Sequence, residues 1–167
     1  MVQCCQYTYI KYTIFQMVVI CMICTFFGHR DAPKEIEPVL KLTLLNLVEN
    51  HNVYNFYVGN NGQFDATVKN SLYALKQRYK HINYTVVLAY LPTQKQDWLP
   101  EEGVSTIYPE GLEKIPLQYA ISKRNEWMIS QANYVVTYVR YKGGGAAKFK
   151  ELAERKGKIV INLAEFL

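Results

Sequence analysis

Two kinds of block alternate along this chain. Short, nearly continuous apolar runs are bounded by Gly, Pro or Asn, and longer stretches repeat their apolar positions every three or four residues. The first kind reads as buried strand and the second as amphipathic helix. Cys21 to Phe27 is the first predicted core strand. Gly28-His29-Arg30-Asp31 and Pro33 follow, with Asp31 a predicted N-cap and Pro33 a first-turn residue. Pro38 sets the start of a regular helix with Val39, Leu42 and Leu45 on one face and Leu40, Leu44 and Leu47 beside it, ending at His51-Asn52. Val53 to Val58 is the second strand, and Gly59 to Gly62 the turn after it. Phe64-Asp65 opens a helix with Val68, Leu72, Leu75 and Tyr79 on its core side. Tyr84 to Leu91 reads as a central strand buried on both faces.

Beyond Leu91 the pattern loosens. Pro92 to Gly103, with Trp98 and Pro100, is a polar loop, and the irregular region it opens, as far as Pro116, is the predicted lid or partner surface. A short strand at Thr106 to Tyr108 precedes an irregular stretch, and a helix covers Leu117 to Gln131. Tyr134 to Tyr138, Ala146 to Lys156 and Lys158 to Leu163 are the last strand, helix and strand. Strand and helix in alternation, with short turns, imply a Rossmann-like three-layer α/β sandwich with a mainly parallel central sheet. In such sheets ligands gather at the carboxyl ends of the strands. Three polar, glycine-bearing turns are predicted there: Gly28-His29-Arg30, Gly59 to Gly62, and Arg140 to Gly145.

The third of these turns carries the most chemistry. Gly143-Gly144-Gly145 allows backbone to run close to a ligand, and the following helix aims free N–H groups and its positive dipole end at the same place. That is an anion site, with phosphate the expected anion. Lys142, or Lys148 one turn on, adds charge, although both also read as solvated surface lysines. Arg30 suits a forked contact to phosphate, or else an ion pair that holds its turn. His29 reads as a general base or as a capping and packing residue. Asn60, Asn61 and Gly62 could line a ribose or base edge, or simply fill a turn. Asp65 belongs at a helix start with or without a ligand.

Composition changes the picture little. The 167 residues suit one domain with a real core, and half of them are hydrophobic. The net charge of +5 suits a phosphate-bearing ligand; no dense Lys/Arg run marks a nucleic-acid face, so DNA contact is a secondary reading. The four cysteines fall in the first 24 residues, which argues against a disulfide-stapled domain. Cys21 and Cys24 have C-x-x-C spacing inside an apolar run and read as small hydrophobes, not as a metal or redox pair. No metal or cofactor is expected. Residues 1–20 read as an N-terminal extension outside the fold, which spans 21–167; the apolar run from Met17 to Phe27 is too short for a membrane helix.

With these residues in hand, the chain resembles the SLOG superfamily, which includes the Lonely-guy phosphoribohydrolases and the DNA-processing protein A family. It is most similar to the small bacterial YpsA-like branch. CTFFGHRDAP (24–33), FYVGNNGQFDATV (56–68), YTVVLAYLP (84–92) and residues 123–163 carry the likeness, which covers about residues 22 to 165. The resemblance implies a cytoplasmic protein that binds or senses a nucleotide or nucleotide-derived ligand at the carboxyl rim. Lonely-guy enzymes carry a proline followed by G-G-x-G-T-x-x-E, and an upstream Arg-Lys-x-x-Met. Gly144 to Glu151 falls in that register, with Ala147 for the third glycine and Lys148 for the threonine, while Arg124-Asn125-Glu126-Trp127-Met128 keeps the Arg and the Met. The resemblance thus offers Arg124 and Glu151 as counterparts of the residues that cleave an N-glycosidic bond, and Asn125 and Ala146 as ligand contacts. The changed turn favours binding or sensing over hydrolysis of a nucleoside monophosphate. Many relatives pair through helices, so a homodimer is compatible with the likeness. Function as a DNA-associated accessory protein is the third reading.

Overall fold

The computed structural model describes residues 22–91 and 104–167. Among these residues six strands and four helices follow in the order β1 (Met22–Gly28), α1 (Ile36–His51), β2 (Val53–Val58), α2 (Gln63–Arg78), β3 (Asn83–Val87), β4 (Ser105–Ile107), α3 (Leu117–Gln131), β5 (Tyr134–Tyr138), α4 (Gly144–Arg155) and β6 (Ile159–Asn162). Short 3-10 turns lie at Leu112–Lys114 and Leu163–Phe166. The strands form one sheet in the order β4-β3-β2-β1-β5-β6, and every pairing is parallel. The chain winds from β1 out to β4, then crosses to β5 on the other side of β1. The crevice of such a sheet opens at that reversal, between β1 and β5.

Neighbouring residues of β1 face opposite layers, as pleating requires. Cys24 and Phe26 pack with Ile36, Leu40, Leu44 and Leu47 of α1 and Val68 and Leu72 of α2. Phe27 packs with Met128 and Ile129 of α3 and Phe149 and Ala153 of α4. Each such apolar side chain, fully buried, contributes about 1.5–3 kcal/mol by its removal from water. The result is a three-layer α/β sandwich of the Rossmann-like kind.

The structure corrects several local expectations. Helix α1 begins at Ile36 with Glu35 before it and no side-chain cap, so exposed Asp31 is not the N-cap. The turn is closed instead by backbone bonds to the carbonyls of Pro33 and Lys34. Pro38 sits inside the first helical turn, where a missing N–H removes nothing. The buried face of α1 is Ile36, Leu40, Leu44, Leu47 and Val48, and Leu42 is 68% exposed. Strand β3 ends at Val87, not Leu91. Its neighbour β4 has three residues, and the Val87 carbonyl is taken by Arg124. Cys24 is buried in the core and burial pushes its thiol pKa far up, which makes it inert. Cys4, Cys5, Cys21, the extension at 1–20 and the 92–103 part of the predicted lid, with Trp98 and Pro100, lie outside the described residues; the rest of that region holds β4 and the 3-10 turn at Leu112–Lys114. No described helix is long and apolar enough to cross a membrane.

Candidate functional site

The turns that follow β1, β2 and β5 are stitched to one another. Gly28 ends β1 under the ring of Phe64, and a Cβ there would stand 2.3 Å from that ring. A bare backbone at this point lets the first turn of α2 press onto the strand end. The Gln63 N–H donates to the Arg30 carbonyl at 2.8 Å, and Gly62, at φ +101°, brings the second turn against the Arg30 backbone. His29 ties the first turn to the third. Its N–H donates to the Tyr138 carbonyl, its ring Nε2 accepts from the Arg140 N–H at 3.3 Å, and its ring stacks on Tyr141 at 4.3 Å. These contacts give His29 the capping and packing role.

Between the turns lies a cavity of about 330 Å³. Its polar wall is His29, Arg30, Asn61, Asp65, Ser122, Arg124 and Asn125; its apolar wall includes Phe27, Ile121, Ala146 and Phe149. The volume is at the lower end for small-molecule sites.

The innermost polar groups are Asp65 and Arg124. Asp65, 8% exposed, sits in the first turn of α2, where the helix dipole favours a carboxylate. Its Oδ2 accepts the Asn61 N–H at 2.9 Å, and Oδ1 has no hydrogen-bond partner among the described residues. Arg124, 3% exposed, reaches up from α3. Its Nε donates to Asn125 Oδ1 at 2.9 Å and its Nη1 to the Val87 carbonyl at 3.0 Å. Nη2 has no acceptor among the described residues. Gly59 separates the two charged groups: a Cβ on it would lie 2.3 Å from Asp65 Oδ2 and 3.0 Å from Arg124 Nη1. Burial raises the Asp65 pKa above the ordinary 3.8, and the Asn61 N–H and the Arg124 charge pull it back only in part. Burial likewise lowers the Arg124 pKa, with Asp65 opposing.

The rim above is formed by the start of α4. That helix has no side-chain N-cap, and its Gly145 and Ala146 line the cavity. A Cβ on Gly145 would meet nothing within 4 Å, so no protein neighbour demands a glycine there. Free N–H groups and the dipole end of a twelve-residue helix face this space.

Of the residues singled out from the sequence, Gly28, His29, Arg30, Gly59, Asn61, Asp65, Arg124, Asn125, Gly145 and Ala146 surround the cavity. Asn60, Gly62, Lys142, Gly143, Gly144 and Glu151 do not line it, and all six are exposed. Asn60 Oδ1 accepts from Lys69 Nζ at 3.1 Å. The carboxylate inside the cavity is therefore Asp65, not Glu151. Sequence reasoning missed Ile121 and Phe149. Each stands three residues from a residue it did name, Arg124 and Ala146, and so shares that residue's helix face. Among the described residues no His, Cys, Asp and Glu cluster could hold a metal ion.

No family model and no curated protein matches the sequence. Among solved structures, the chain is similar to DNA processing protein A (DprA) from Streptococcus pneumoniae, with a TM-score of 0.60 and 17% sequence identity. The match covers 84% of this chain and 49% of that one, so this chain spans about half the length of its structural neighbour. At this identity the likeness is one of fold, and the fold is the one expected from the sequence.

Proposed function

We propose that this chain binds or senses a nucleotide or nucleotide-derived ligand in the cavity at the carboxyl rim, as a SLOG protein of the YpsA-like kind. One observation carries the reading: a nearly buried arginine lines a 330 Å³ cavity with its Nη2 unmatched by any described acceptor. An arginine N–H donor left over beside a cavity is available to an oxygen of a bound ligand. The uncapped start of α4 supplies a second anion-favouring surface at the mouth. The polar wall suits a phosphorylated sugar, and the apolar wall of Ile121 and Phe149 suits a base.

Hydrolysis of a nucleoside monophosphate's N-glycosidic bond is the second reading. It rests on Asp65, a carboxylate beside the arginine inside the cavity, since Glu151 lies outside it. DNA contact and pairing of two copies are weaker extensions of the same kinship, and a cytoplasmic setting goes with them. The deciding experiment is calorimetric titration with nucleoside monophosphates, with free base assayed in parallel. Saturable binding without base release, lost in Arg124→Met, is the expected result. Base release turns the reading to the hydrolase, and absence of binding removes both.

A further inference from the structure

Asp65 and Arg124 are neighbours beside Gly59. A Cβ on that residue would lie 2.3 Å from Asp65 Oδ2 and 3.0 Å from Arg124 Nη1, yet among the described residues carboxylate and guanidinium form no direct ion pair. Both are nearly buried and both line the cavity. Each keeps unused hydrogen-bonding capacity there: Oδ1 of Asp65 has no donor, and Nη2 of Arg124 no acceptor, among the described residues. Neighbouring groups hold both in place, the Asn61 main-chain N–H on Asp65 and the Asn125 side-chain amide oxygen on Arg124.

An acceptor and a donor, both charged and held apart, are complementary to a group that donates to one and accepts from the other. A hydroxyl does both. An ionised phosphate oxygen cannot, because it has no proton for the carboxylate and is repelled by it. An anion therefore belongs at the other end of the cavity, by Gly145 and Ala146, with a hydroxyl-bearing unit toward Asp65. Resting on the reading above, we infer that Asp65 is a specificity-determining residue that selects a ribose with free hydroxyls over a deoxyribose, through one sugar hydroxyl held between Asp65 and Arg124. The site thereby separates ribonucleotides from deoxyribonucleotides.

The test titrates the protein with adenosine 5′-monophosphate and with its 2′-deoxy and 3′-deoxy analogues. A hydroxyl bonded to two charged groups is expected to make at least one analogue bind about 10- to 100-fold more weakly. Asp65→Asn keeps the shape and an oxygen for the Asn61 N–H, but turns an amide NH₂ toward the sugar. Discrimination should then fall to near unity while the ribonucleotide itself still binds. If both analogues bind wild type within about twofold of the parent, or Asp65→Asn keeps the full discrimination, the inference is overturned and the binding reading stands. If none of the three binds, reading and inference fall together. Should Asp65→Asn fail to fold, the wild-type comparison alone decides.

Discussion

The two ends of the sheet treat polar side chains in opposite ways. At the amino ends of the strands, aromatic and imidazole groups satisfy one another. The Tyr134 hydroxyl meets His51 Nδ1 at 3.2 Å, the Tyr54 hydroxyl donates to Asn52 Oδ1 at 2.9 Å, and the Tyr79 hydroxyl donates to Glu49. The His81 ring stands edge-on to Tyr54 at 4.8 Å. At the carboxyl ends, Asp65 and Arg124 are more deeply buried than His51 or His81, and yet each lines the cavity and keeps an atom with no partner among the described residues. Hydrogen-bonding capacity left beside a cavity marks that end as the place where a ligand can complete it.

The contrast breaks most sharply at Gly59. Gly59→Val puts side-chain atoms where Asp65 and Arg124 stand and should lower stability by about 1–3 kcal/mol while abolishing ligand binding. Urea unfolding with titration calorimetry reads both. Gly145→Ala is the opposite case: with open space around its Cβ, stability should hold or rise by up to about 1 kcal/mol, while affinity for a phosphorylated ligand falls roughly tenfold. A stable variant that binds as well as wild type would remove α4 from the site.

Asp65 sharpens the comparison through pH. Its folded pKa is raised, so the folded state holds this proton more tightly than the unfolded chain does. The contribution to stability is then full below pH 3.8 and is lost as pH climbs through the folded pKa. Urea midpoints of wild type and Asp65→Asn, measured from pH 3.5 upward, should separate with wild type losing ground as pH rises. Parallel curves would show that burial does not perturb this carboxyl. The smallest effect belongs to the other end: Tyr134→Phe should cost about 1 kcal/mol and leave ligand affinity unchanged.

Much of this was legible in the chain. Apolar runs with β-branched residues placed β2 and β5 to the residue, and α3 likewise, because strands and helices buried in a sandwich carry strong periodicity. The start of α1 was not legible, since a turn closed by backbone carbonyls leaves no side-chain signature, whereas Asp31 and Pro33 resemble one. Leu42 misled for a related reason: two adjacent stripes of leucine cannot both face a single sheet. The end of β3 depended on Arg124, a residue thirty-seven positions away that takes the Val87 carbonyl. The glycine turns announced the rim, but the choice of Asp65 over Glu151 as the inward carboxylate depends on how α2 docks beneath Gly28, a tertiary fact that no local spacing encodes.

The bonds that gather the three turns run largely through main-chain atoms: the Gln63 N–H to the Arg30 carbonyl, the His29 N–H to the Tyr138 carbonyl, the Asn61 N–H to a carboxylate, the Arg140 N–H to an imidazole. A frame held in this way does not depend on the side chains of Arg30 and Asn61, which face the cavity from it, nor on that of Ser122, which faces it from α3. Lineages could exchange those side chains, and with them the molecule recognised, without rebuilding the scaffold. Selectivity and architecture are thus free to evolve separately, and a panel of substitutions at these three positions should shift preference among ligands while the melting curve stays in place.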